Sequence, residues 1–99
     1  MTELPERVPI GDEMFTVKVV RRAWFKSDYG RVVGDLDWGA CVIRIAVGGR
    51  RTPLPSDAVW AALYHEVEHA CDFAADEARS DFVGESMNYL ADWRKNRKE

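Results

Sequence analysis

Ninety-nine residues, 46% hydrophobic and 31% charged, make one ordinary globular domain, 1–99, and exclude a disordered or collagen-like chain. The net charge of −3 argues against a nucleic-acid binder, and no apolar run is long enough to span a bilayer. Cys41 and Cys71 are too few for a disulfide scaffold, and Met1–Arg7 lacks the basic and apolar regions of a signal peptide, so a reducing, cytoplasmic setting is expected.

Residues 1–13 carry Pro5, Pro9 and Gly11 among charges and read as an irregular lead-in. Met14 to Val20 alternates, with Phe15, Val17 and Val19 on one side, and reads as a strand. Arg21 to Tyr29 fits either a continued strand or a loop. Val32, Gly34, Leu36 and Trp38 alternate with Arg31, Val33, Asp35 and Asp37, and Cys41, Ile43, Ile45 and Val47 alternate with Val42, Arg44 and Ala46, as strands do. Asp37-Trp38-Gly39-Ala40 lies between these runs as a turn, which makes a β-hairpin. Gly48-Gly49 ends a strand region spanning 14–47.

Everything after Pro55 reads as helix. Ser56 is the expected N-cap, and no proline follows it. Forty helical residues in one piece are too many for so small a domain, so a break is expected at Ala75-Asp76-Glu77. That gives a motif helix over 56–75 and a second helix over 77–96. Arg94, Lys95, Arg97 and Lys98 suit the negative end of the second helix and read as a solvated helix end. The expected fold is α+β: a small antiparallel sheet, hairpin plus N-terminal strand, packed on two antiparallel C-terminal helices.

The chain has two histidines, and they stand four residues apart in His65-Glu66-Val67-Glu68-His69. Residues i and i+4 project from one helix face, so two imidazoles can reach one zinc ion at about 2.0–2.1 Å. Glu66 projects about 100° further round the helix, where it can bond a water on that ion and act as general base. Val59, Leu63, Val67, Ala70 and Ala74, widened by Trp60, Tyr64 and Cys71, form a separate core face. His65 and His69 share their own face with Ala58, Ala62 and Asp72. Cys71 reads as a small buried hydrophobe.

A catalytic zinc commonly takes three protein ligands and leaves one position open. No histidine remains, so the third ligand comes from Asp72, Asp76, Glu77, Asp81, Glu85 or Asp92. If antiparallel helices turn near Asp76, Glu85 lies level with the midpoint of the histidines. Asp81 and Asp92 then fall roughly 6 and 10 Å away along the axis, at about 1.5 Å per residue. Glu85 also borders the second helix's apolar stripe of Phe82, Val83, Ser86, Met87, Leu90 and Trp93. Asp72 suits a hydrogen bond to an imidazole N–H, and Tyr89 is a weaker candidate for stabilising an oxyanion.

From Tyr29 to Lys95 the chain resembles a minimal zincin-type metallopeptidase. More closely, it resembles the short phage and prophage metallopeptidases related in layout to the ImmA/IrrE group. The resemblance implies His65 and His69 as zinc ligands, Glu66 as catalytic base and Glu85, in Phe82-Val83-Gly84-Glu85, as the downstream glutamate ligand. It also implies a bacterial or phage-encoded enzyme acting on a peptide or protein. Asp72 and Ala75 stand where a metzincin has glycine and histidine. Tyr89 stands where a thermolysin-like protein has aspartate, and an SprT-like third histidine is lacking.

The expected reading is therefore a zinc peptidase holding one ion, with neither nucleic acid nor membrane as partner. Its substrate would lie extended along an exposed strand, Cys41–Val47. Two alternatives are a zinc-binding interaction or regulatory domain without turnover, and a helical module that binds no metal. Glu66 favours the first, because a purely structural site needs no base beside its ligands.

Overall fold

The computed structural model describes residues 2–28, 30–74 and 81–96, with the side chains at 73, 74 and 81–83 left out. Val8 and Ile10 alternate with Arg7 and Pro9, and both are fully buried. Residues expected to be irregular thus form a strand, β1 (Arg7–Ile10). Proline is tolerated there because β1 is a sheet edge. Gly11, at φ 62°, helps make the two-residue turn into β2 (Glu13–Val20), which pairs antiparallel with β1.

The stretch left open in the sequence becomes a small separate hairpin, β3 (Phe25–Ser27) and β4 (Gly30–Val32). The expected hairpin then follows as β5 (Gly34–Asp37) and β6 (Val42–Ala46), registered from Gly34↔Ile45 to Asp37↔Val42. Its loop is held by the Ala40 N–H donating to Asp37 Oδ1 at 3.1 Å, with Cys41 at φ 56°.

The larger sheet has the order β1-β2-β6-β5, and β2 runs parallel to β6. It is therefore mixed, where an antiparallel sheet was expected. The chain leaves β2, passes through the β3–β4 hairpin, returns along the far edge as β5 and turns back into the slot beside β2. Phe15 and Val17 are buried as expected, while Val19 is 50% exposed. The β1 ladder reaches only to Thr16, so Val19 lies beyond its end.

The two helices are α1 (Ser56–Ala74) and α2 (Asp81–Asn96). The Val59 N–H donates to the Pro55 carbonyl at 3.1 Å, which puts the cap one residue before Ser56. The expected break at 75–77 lies outside the described residues. The helices are antiparallel: Asp57 pairs with Arg94 at 3.1 Å and the rings of Trp60 and Trp93 lie 5.9 Å apart, while Cys71 meets Ser86 further along. Mainly, α1 lies on β5 and β6, and α2 on β1.

The core between sheet and helices joins Val8, Phe15, Ile43, Ile45, Leu63, Val67 and Leu90, among others. Arg44 alternates with Ile43 and Ile45 and so projects from the opposite sheet face. There its guanidinium lies 4.5 Å from the Phe25 ring centroid.

Candidate metal centre

The apolar stripe of α1 fixes which way its other faces point. Val59, Leu63, Val67, Ala70 and Cys71 are at most 1% exposed, so that stripe lies on the sheet as expected. His65 and His69 then fall on a solvent-facing side. Their Nε2 atoms converge to 3.0 Å, with the rings nearly perpendicular at 83°. Two nitrogens around a tetrahedral zinc, each at about 2.0–2.1 Å, sit roughly 3.3 Å apart. The pair therefore fits two positions of such a site.

Glu66 turns the other way and is only 8% exposed. Its side chain lies against β5 at Gly34. A Cβ there would sit 3.0 Å from Glu66 Cγ and 3.3 Å from Oε2. The missing side chain of Gly34 is the niche that receives the glutamate. Burial raises the carboxyl above its ordinary pKa, His65 and His69 oppose this, and Asp35 adds to it. Asp35 sits on β5 next to Gly34 and is held from its other side by a two-pronged ion pair with Arg44. Gly34 and Asp35 were missed as site residues. The available signal was an isolated glycine in a strand pattern, which marks close approach of another group.

Six acids were candidates for a third ligand, Glu85 foremost. Asp72, Glu85 and Asp92 are all exposed. Among the described residues no group of three His, Cys, Asp or Glu side chains converges as a metal site, so Glu85 is not gathered with the histidine pair. Glu85 stands exposed beside the buried face of α2, where Ser86 is fully buried as its place in the apolar stripe implied. Ser86 Oγ donates to the Pro9 carbonyl and lies 3.7 Å from Cys71 Sγ. The side chains of Asp76, Glu77 and Asp81 lie outside the described residues. Tyr89 is 37% exposed. Cys71 is fully buried, and burial pushes its thiol pKa up, as suits an inert core group. Cys41 lies 3.9 Å from Glu13 Oε1, apart from the histidines.

The strand expected to receive substrate, Cys41–Val47, is also corrected. Its ladder segment β6 lies between β2 and β5, so both of its edges are taken. The open edge beside α1 is β5. The Ala46 N–H donates to the Val33 carbonyl at 2.8 Å, which sets the phase of the β5–β6 ladder. By alternation, Gly34 and Leu36 turn their backbone N–H and C=O groups outward. No family model matches the sequence, and no curated protein or solved structure matches it.

Proposed function

We propose that this protein is a zinc-dependent peptidase, with Glu66 as its general base and β5 as the strand along which substrate lies. The observation that carries the reading is one juxtaposition. Two imidazole nitrogens converge on the exposed side of α1, and the intervening glutamate is buried against an open sheet edge. His65 and His69 would hold the ion. Glu85 remains the sequence-based candidate for a third ligand. A zinc ion held there supplies a Lewis acid and lowers the pKa of a water towards about 7.

The chain's own groups do the rest. Gly34 and Leu36 offer outward N–H and C=O groups, so an extended peptide can add to β5 as a further strand. The Glu66 carboxylate would take a proton from the attacking water and return it to the leaving amine. Burial raises its pKa, which makes it a stronger proton acceptor.

Metal content under non-chelating conditions tests the reading. About one zinc per chain is expected, and His65→Ala or His69→Ala abolishes it. Glu66→Gln keeps the zinc and the fold but loses hydrolysis of a quenched-fluorescent peptide library by about 10²–10⁴-fold. Protein free of zinc would overturn the proposal. Full zinc retention by Glu85→Ala would move the third ligand to another acid.

One observation favours a second reading, a zinc-binding domain without turnover. Both converging donors are exposed, and among the described residues no third joins them. Zinc binding with no hydrolysis to lose in Glu66→Gln would select that reading.

A further inference from the structure

The net charge conceals a segregation. Residues 18–51 hold eight of the fourteen basic residues and three of the seventeen acidic ones, a balance of +5 against −8 for the rest of the chain. The fold concentrates it further. Because β2 and β6 are parallel, the chain leaves both at the same end of the sheet. Each exit carries an arginine pair, Arg21-Arg22 after β2 and Arg50-Arg51 after β6. The Val47 N–H donates to the Val20 carbonyl at 3.0 Å, and the Gly48 N–H to the Arg22 carbonyl at 2.8 Å, so the exits lie side by side.

The second arginine pair is presented by a fixed loop. A bridge between Gly48 and Pro53, and the Leu54 N–H donating to the Val47 carbonyl at 2.9 Å, close residues 49–52 tightly. Gly48 stands at φ 85°, where a Cβ would lie 2.5 Å from Leu54 N, so only glycine fits that corner.

The β3–β4 hairpin adds two more cations. Phe25 is buried against Arg44, so by alternation Lys26 points outward, together with its direct cross-strand partner Arg31. Like charges directly opposite each other destabilise a strand pair. The Arg31 guanidinium lies 4.5 Å from the Trp24 ring centroid. All six cations are exposed, Arg22 with its guanidinium 5.6 Å from the Phe25 ring centroid, and the ion pairs Arg44–Asp35 and Arg94–Asp57 use other residues.

We propose that this end of the sheet binds nucleic acid, with Arg21, Arg22, Lys26, Arg31, Arg50 and Arg51 on the phosphates and Trp24 beside them. Five of the six are arginines, whose planar fork matches a phosphate in two-pronged geometry. A nucleic-acid strand carries a charge at every residue, about 3.4 Å apart along a duplex axis. That density can neutralise cations set as close as Lys26 and Arg31, and an aromatic ring beside them offers a base a stacking surface. An acidic peptide can match that charge density, but its carboxylates come without a flat base to stack on Trp24. The surface revises what net charge alone implied, and it uses no residue of the histidine site.

Fluorescence anisotropy with labelled 20-nucleotide single-stranded and duplex DNA, at about 50 mM salt, tests it. Binding is expected to weaken linearly in log–log form as salt rises. Arg50→Glu/Arg51→Glu and, separately, Lys26→Glu/Arg31→Glu should each weaken it at least tenfold and flatten the salt slope by about two. Lys95→Glu on α2 should leave it unchanged, and circular dichroism checks that each variant is folded. Absence of binding, parent-level affinity in either reversed variant, or tighter binding to polyglutamate of equal length overturns the proposal.

Discussion

The sheet has two edges, and the molecule treats them in opposite ways. At β1, Pro9 removes one backbone donor, and its carbonyl accepts a hydrogen bond from Ser86 of α2. That edge is closed to another strand. At β5, Gly34 and Leu36 keep their outward groups, and the adjoining helix presents Glu66 and the histidine pair. An open edge is a liability that a small domain commonly covers. In the proposed function, the edge left beside the converging histidine pair is the one that would take an extended peptide.

Substitutions can break this contrast. The largest effect is expected from Gly34→Ala, whose new Cβ would lie 3.0 Å from Glu66 Cγ and 3.2 Å from Ile45 Cδ1, so that the glutamate must give way. In the peptidase reading, kcat falls at least about tenfold, because a small misplacement of a reacting group is costly, while zinc content holds. Unchanged kcat would show that Glu66 has no fixed task at β5.

Leu36→Pro removes one outward N–H from the open edge and leaves the β6-facing bonds of β5 in place. The loss of one hydrogen bond, about 1 kcal/mol, should raise KM for an extended peptide roughly fivefold with kcat little changed. A KM equal to the parent's would take substrate off β5.

On the closed edge, Ser86→Ala orphans the Pro9 carbonyl. About 1 kcal/mol of stability should go, and with it roughly 4–8 °C in Tm for a domain of this size. Metal content should not change. Loss of zinc in this variant would mean that the two edges are coupled through α2.

The smallest effect is a pH dependence in the metal-free protein. Burial raises the Glu66 carboxyl pKa, so the folded chain holds that proton more tightly than the unfolded chain. The resulting stability is full below the unfolded pKa and is lost as pH rises through the folded one. Thermal melts should therefore show Tm declining across that window, and less steeply in Glu66→Gln. Parallel profiles for the two proteins would place Glu66 in ordinary solvent.

The sequence revealed those parts of the fold that repeat locally. The α1 stripe, the β5–β6 hairpin and the convergence of His65 and His69 all follow from side-chain period. β1 was hidden because Pro9 and Gly11 read as breakers, whereas an edge strand and a tight turn accept both. The parallel seam was hidden because period says which face a residue is on and not which strand lies beside it. Glu85 was placed by helix register alone. Period put Ser86 in the core stripe and Glu85 beside it, and Ser86 is buried as expected; whether a residue at the stripe's edge reaches the histidines depends on how the two helices are spaced and rotated, which period does not give.

Every rung of the β2–β6 seam joins residues 26 positions apart, as in Thr16↔Val42, whereas β1–β2 rungs span at most 9 and β5–β6 rungs at most 11. The sheet is therefore two quickly formed hairpins joined along one slow seam, since distant pairing must wait for loop closure. The helix pair straddles that seam, with Trp60, Trp93, Asp57 and Arg94 as its clasp. The histidines, Glu66 and β5 all belong to the half formed by α1 and the later hairpin. The candidate site therefore lies on the side of the seam whose strand pairing, β5 with β6, is local in sequence.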